Sequence, residues 1–146
     1  MPSISEDMAR ESLFEDTTSL LRYLYADLTR ISEVASEDIQ LHSADRNLSS
    51  PPKPPIKGVR AVQAHENALV EATGGSLVMD VESISANEHF GTVLGTLRAR
   101  RHGVADLAVP FCGVWRFDCG KAIEHWENAK NPADFESWLK NGECEQ

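Results

Sequence analysis

The chain has 146 residues, is 41% hydrophobic and carries a formal charge of −9. That is one ordinary domain with enough apolar material for a core, which argues against wholesale disorder. The acidic balance argues against phosphate backbones and anionic membranes as partners, and no apolar run approaches the ~20 residues of a membrane span.

Met1 to Glu15 is polar and acidic, without the apolar stretch of a signal peptide. Three cysteines, Cys112, Cys119 and Cys144, form no CxxC pair and point to a reducing compartment. A cytoplasmic protein is expected, with residues 1–12 and 141–146 as flexible ends of a single domain.

Ser5-Glu6-Asp7 is a plausible helix entry. Phe14, Leu21, Leu24, Leu28 and Ile31 then recur at helical spacing, with Tyr25 on the same stripe. A break near Ala26-Asp27 separates a short second helix ending at Ala35. Glu37 to Ser43 reads as a turn and a short strand, with Ile39, Leu41 and Ser43 on one face. Asn47 to Lys57 holds four prolines and reads as a surface loop. Helix Arg60–Thr73 follows, stopped by Gly74-Gly75. His65 lies three residues after Val62 and four before Leu69, so it faces the buried side.

From Ser76 the pattern is strand. Leu77–Ser85 alternates, Ala86-Asn87-Glu88 turns, and His89–Arg100 places Gly91, Val93, Gly95 and Leu97 on one face. Glycines on that face, with Gly113 beside them, suggest a bent sheet lacking filling side chains, and hence a cavity under the helices. Val109 to Asn128 reads as a hairpin turning at Asp118-Cys119-Gly120-Lys121. Its first arm alternates Val109, Phe111, Gly113, Trp115 and Phe117. Its second places Ile123, His125 and Glu127 on one face and Glu124, Trp126 and Asn128 on the other. Asn131-Pro132-Ala133-Asp134 begins a last helical turn, with Phe135, Trp138 and Leu139 packing back. Helices gathered on one side of an antiparallel sheet make an α+β fold.

Three stretches carry a resemblance to a known family. Asp27-Leu28 through Ile39-Gln40-Leu41-His42-Ser43 is similar to a second helix running into a strand. Lys57-Gly58-Val59-Arg60-Ala61-Val62 is similar to a glycine-started third helix. Trp115-Arg116-Phe117-Asp118 with Gly120-Lys121-Ala122-Ile123-Glu124-His125-Trp126-Glu127 is similar to a closing hairpin that often ends Glu-His-Trp-Asp. Together they resemble the nuclear transport factor 2-like superfamily, and within it the SnoaL-like polyketide cyclases. The resemblance implies a cone-shaped fold, with N-terminal helices packed on a strongly curved antiparallel sheet that encloses a pocket. It also implies that Glu127 falls where cyclases and epoxide hydrolases of this fold keep an acidic catalytic residue. Ser43 and Gly113 fall where ketosteroid isomerases keep two aspartates, and both acids are absent here.

The expected chemistry is acid/base work on a hydrophobic small molecule, such as cyclisation or isomerisation of a polyketide- or terpenoid-like metabolite. Glu127, His125 and His65 are the expected catalytic groups. In an apolar pocket the Glu127 pKa is expected to rise, with either histidine as proton donor. Tyr25, Ser43, Val93, Leu97, Phe111 and Trp115 are the expected substrate contacts. Alternatives on the same fold are an epoxide hydrolase or dehydratase, and a non-catalytic binding or association module. The five histidines show no HxxxH or HxH spacing, so no metal or other cofactor is expected. Trp126 and Glu124 face outward, which suggests a homodimer through the outer face of the sheet.

Overall fold

The Asp16 carboxylate accepts the Ser19 N–H at 2.8 Å and opens the first helix, α1 (Thr17–Ala26). The computed structural model describes residues 15–144. The expected helix entry at Ser5 and the stripe residue Phe14 lie outside them. α1 buries Leu20, Leu21, Leu24 and Tyr25. Asp27 ends it in extended backbone, and its side chain accepts the N–H and hydroxyl of Thr29 to start a 3-10 turn (Leu28–Arg30). One acidic residue thus both breaks the helix, as expected near Ala26-Asp27, and caps the 3-10 turn after it. α2 (Ile31–Val34) completes the roof.

β1 (Ala35–His42) begins directly after α2 and is longer than the sequence pattern suggests. Ile39 and Leu41 are buried and Gln40 and His42 are half-buried, as their alternation requires. The proline-rich segment is exposed over most of its length and is bounded by a 3-10 turn (Arg46–Leu48) and a two-residue strand, β2 (Ile56–Lys57). Gly58, at φ +93°, leads into α3 (Val59–Ala72), and Gly74 and Gly75 at positive φ end it. β3 (Val78–Ala86), β4 (Phe90–Ala99), β5 (Leu107–Asp118) and β6 (Lys121–Ala129) form an antiparallel meander. α4 (Pro132–Cys144) runs on past Leu139, well beyond the single turn expected.

The six strands form one sheet in the order β2-β1-β6-β5-β4-β3. The sheet is mixed, because β1 pairs with β6 in parallel, Leu41 beside His125 and His42 beside Trp126. That pairing sets the end of β1 next to the end of β6, where the candidate residues His125 and Glu127 lie. Register shifts in β3 and at the β5–β6 hairpin add bulges, which bend strands. The hairpin bulge also overturns one expectation. Phe117 pairs with Ala122 while Arg116 pairs with Glu124, so Ile123 is the extra residue. Ala122 is fully buried in its place and Ile123 is only half-buried.

The glycines require a second correction. They do not leave a void; other atoms occupy the space. A Cβ on Gly91 would lie 2.9 Å from Leu21 Cδ1, and one on Gly95 would lie 2.3 Å from the Asp80 carbonyl oxygen beside the β3 bulge. A Cβ on Gly113 would lie 2.2 Å from the Tyr25 hydroxyl. Glycine here lets helix and backbone approach the sheet closely.

Candidate active site

Between α1, α3, α4 and the inner face of the sheet lies a cavity of about 340 Å³. Its apolar walls come from Leu24, Leu28 and Ile31, from Leu69 of α3, and from Met79, Leu97, Val109 and Phe111 of the sheet. α4 adds Phe135 and Leu139. Its polar side holds His65, Glu66, His125 and Glu127, with Ser43 and Asp45 from the loop after β1. Among the expected substrate contacts, Tyr25, Ser43, Leu97, Phe111 and Trp115 line it. Val93 does not. It is fully buried in the core cluster with Leu21, Leu24 and Phe117, and the cavity does not reach it.

Glu127 meets His65, the Ala44 N–H and the carboxyl of Glu66. His65 Nε2 lies 3.2 Å from both carboxylate oxygens, and the Ala44 N–H donates to Oε1 at 3.1 Å. Strand alternation turns Glu127 inward opposite Gly113, and helix spacing turns His65 to meet it. Arg46 anchors the loop that presents Ala44. It donates to the carbonyls of Ser43 and Glu127 and to Asn128 Oδ1.

The expected rise in the Glu127 pKa is overturned. Burial favours its neutral form, but the hydrogen bond and charge of His65, with the Ala44 N–H, hold it below the ordinary value. Burial also opposes charge on His65, and Glu127 outweighs it, raising His65 to about 9. The two form an ion pair facing the cavity.

His125 behaves differently. It is 6% exposed and stacked on Trp115 with ring centroids 3.5 Å apart. Its Nδ1 donates to the Val114 carbonyl at 3.0 Å, and burial lowers its pKa to about 4. The ring is therefore neutral near pH 7 with Nε2 bare, so it can accept a hydrogen bond there and has no proton to donate. That removes it as the proton donor considered from the sequence. Trp115 Nε1 donates to the Tyr25 hydroxyl at 3.0 Å, and Tyr25 stacks on Phe111, so an aromatic chain fixes this wall. Burial pushes the Tyr25 phenol above its usual value.

Glu66 escapes the sequence reading. It is 4% exposed and lies four residues after Val62 and three before Leu69, the same inward stripe as His65. That spacing was the available signal; the charge of Glu66 suggests a solvated face. Burial and the charge of Glu127 push its pKa up to about 8. The ligand atoms of His65, Glu66 and Glu127 all lie within 4.8 Å of one another. This imidazole and two carboxylates are the donor set that could hold a divalent ion.

No family model matches the sequence, and no curated protein matches it at a significant level. Solved structures do. Bal32a, from a soil-derived mobile gene cassette, superposes with a TM-score of 0.65 at 18% identity, over 92% of this chain and 97% of that one. A protein from Jannaschia sp. CCS1 described as a SnoaL-like polyketide cyclase gives 0.57 at 17% identity, over 71% of this chain and 72% of that one. An NTF2-like protein of unknown function from Cytophaga hutchinsonii gives 0.55 at 13% identity, over 87% and 93%. At these identities the likeness is one of fold: the chain has the curved-sheet α+β fold of the NTF2-like and SnoaL-like proteins.

Proposed function

We propose that this protein is an enzyme that moves protons on a hydrophobic small molecule, as a cyclase or isomerase of a polyketide- or terpenoid-like ketone. The observation that carries this reading is the Glu127–His65 ion pair at the polar side of an apolar cavity. Glu127 is the base that takes a proton from the carbon next to a carbonyl. The charged His65 fixes its orientation. Its lowered pKa keeps it ionised and ready to accept near neutrality, at some loss of base strength. Tyr25, Leu97, Phe111 and Trp115 hold the apolar body of the substrate, and Ser43 lies at the polar side. The fold shared with a protein described as a SnoaL-like polyketide cyclase supports the same direction.

The test is solvent deuterium exchange. 2-Tetralone, an enolisable bicyclic ketone, is incubated with the protein in D2O and its α-protons are followed by NMR. The wild type should accelerate exchange, and Glu127→Gln should lower the rate by at least about 100-fold. Unchanged exchange in Glu127→Gln would remove the base. Incorporation of labelled oxygen from water into the diol formed from an epoxide would instead indicate the epoxide hydrolase alternative, and loss of water from a hydroxylated substrate the dehydratase.

The outer face of the sheet supports self-association as a homodimer. Phe90 and Leu94 of β4 are exposed there, on the side opposite the cavity. Trp126 adds less than the sequence suggests, because it is half-buried and stacked on His42 at 5.2 Å.

A further inference from the structure

One wall of the cavity presents a hydrogen-bond donor and an acceptor that the described residues leave unpaired. The Tyr25 hydroxyl accepts the Trp115 N–H at 3.0 Å, and its own proton remains unspent. His125 turns Nδ1 to the Val114 carbonyl at 3.0 Å. A carbonyl only accepts, so that nitrogen carries a proton and Nε2 is the atom left over. Among the described residues no acceptor takes the Tyr25 O–H and no donor reaches His125 Nε2. Both side chains are more than nine-tenths buried, at 5% and 6% exposure, and both line the cavity. They also converge. A Cβ on Gly113 would stand 2.2 Å from the Tyr25 hydroxyl oxygen and 3.3 Å from His125 Cε1, the carbon bonded to Nε2. Trp115 fixes the two together, with its N–H on one and its ring stacked on the other. Polar atoms shielded from water and left unpaired are costly, so this wall favours an occupant that pairs both.

We propose that the substrate carries a hydroxyl group remote from its reacting carbon, and that Tyr25 and His125 bind it. The proposal rests on the reading of the cavity as an acid/base site for a ketone, and it narrows the substrate class to hydroxyketones. A hydroxyl both accepts and donates: its oxygen takes the Tyr25 proton and its own proton goes to Nε2. A ketone or ether oxygen would accept from Tyr25 and leave a bare Nε2 unpaired. A carboxylate would do the same and bring a buried charge to a wall that offers it no cation. The pairing follows from geometry and does not turn on the charge of the ring, since a hydroxyl oxygen also accepts from a protonated Nε2. The position of the group follows from the strand. His125 and Glu127 share a face of β6 two residues apart, a separation of roughly 7 Å. The hydroxyl therefore sits about a ring's width from the carbon that Glu127 deprotonates.

The experiment separates binding from catalysis. Isothermal titration calorimetry compares 2-tetralone with 6-hydroxy-2-tetralone and 7-hydroxy-2-tetralone, which carry a hydroxyl on the ring away from the ketone. The wild type should bind at least one hydroxytetralone about 10-fold more tightly than 2-tetralone. That ratio should fall to near one in His125→Phe, which keeps a ring against Trp115 but no ring nitrogen, and in Tyr25→Phe. A second readout needs no variant. In nitrogen-15 NMR of the wild type, the His125 Nε2 signal should move further on addition of the tighter hydroxytetralone than on addition of 2-tetralone. Equal affinities for the three ketones, an advantage that survives in either variant, or an Nε2 signal that responds alike to all three overturns the hydroxyl site, whatever the exchange rates. Selective binding of a hydroxytetralone with no acceleration of deuterium exchange upholds the hydroxyl site and overturns the proposed proton chemistry instead.

Discussion

Gly113 marks a point where a single methyl group would be felt. The Tyr25 hydroxyl occupies the space a Cβ would need, 2.2 Å from it, and the same hydroxyl accepts the Trp115 N–H. Gly113→Ala should therefore destabilise the protein by roughly 1–3 kcal/mol in urea denaturation. Tyr25→Phe alone should cost about 1 kcal/mol or more, because it strands a buried indole N–H. The double variant should be more stable than the sum of the two by about 1 kcal/mol, since the phenyl ring vacates the contested space. Strict additivity would mean that the two side chains do not compete. Sequence spacing made His65 legible as an inward residue, and the same arithmetic applied to Glu66. What hid Glu66 was its type: a charge on a helix is ordinarily solvated, and only the tertiary position of Glu127 shows why this one is not. The electrostatics of Glu127 were hidden for a related reason. Its donors, His65 Nε2 and the Ala44 N–H, come from distant segments, and they outweigh the burial that the sequence could suggest.

At the scale of elements, alternation located the strands and the inner face of β4 and β5, because a half-buried strand has a period of two. It failed on β6 at Ile123, since a bulge inserts one residue and moves the inward position to Ala122. The hydrophobic character of Ile123 carries no trace of that shift. The glycine reading failed for a similar reason, because an absent side chain means equally a void or a close approach, and the neighbours Leu21, Asp80 and Tyr25 decide which. The outer face is easier to interpret. Three cross-strand rows run over it: Phe90 beside Arg116 and Glu124, Thr92 beside Val114 and Trp126, and Leu94 beside Cys112 and Asn128. His42 bonds Glu124 at 2.7 Å, and Glu124 also pairs with Arg116, so the charged end of this face is neutralised within itself. If two copies meet here, light scattering at micromolar protein should give the dimer mass for the wild type. Phe90→Glu with Leu94→Glu should return the monomer without loss of deuterium exchange. A monomeric wild type would remove this surface from consideration.

For the whole molecule, the buried titratable groups set how stability depends on pH. Glu66 is raised from 4.5 to about 8 and His65 from 6.5 to about 9, so the folded chain binds protons more tightly at both positions. Each contribution is fully present below the ordinary value and is lost as pH rises through the folded one. His125, lowered from 6.5 to about 4, acts in the opposite sense and only below pH 6.5. Above pH 6.5 the falling contributions therefore stand alone, and the melting temperature should drop steadily towards pH 9. Glu66→Gln should flatten the earlier part of that decline, and an identical decline in the variant would contradict a proton on Glu66. The parallel ladder between β1 and β6 bears on something else, the time at which the proposed site comes into existence. Glu127 meets partners that precede it by 62 and 83 positions, and the loop at Ala44 reaches it only when the last strand has added beside the first. During synthesis the helix bearing His65 and Glu66 leaves the ribosome long before its counterpart does. The proposed site is thus assembled from early and late parts of the chain, so a half-made copy lacks the carboxylate of Glu127 and the wall that α4 adds.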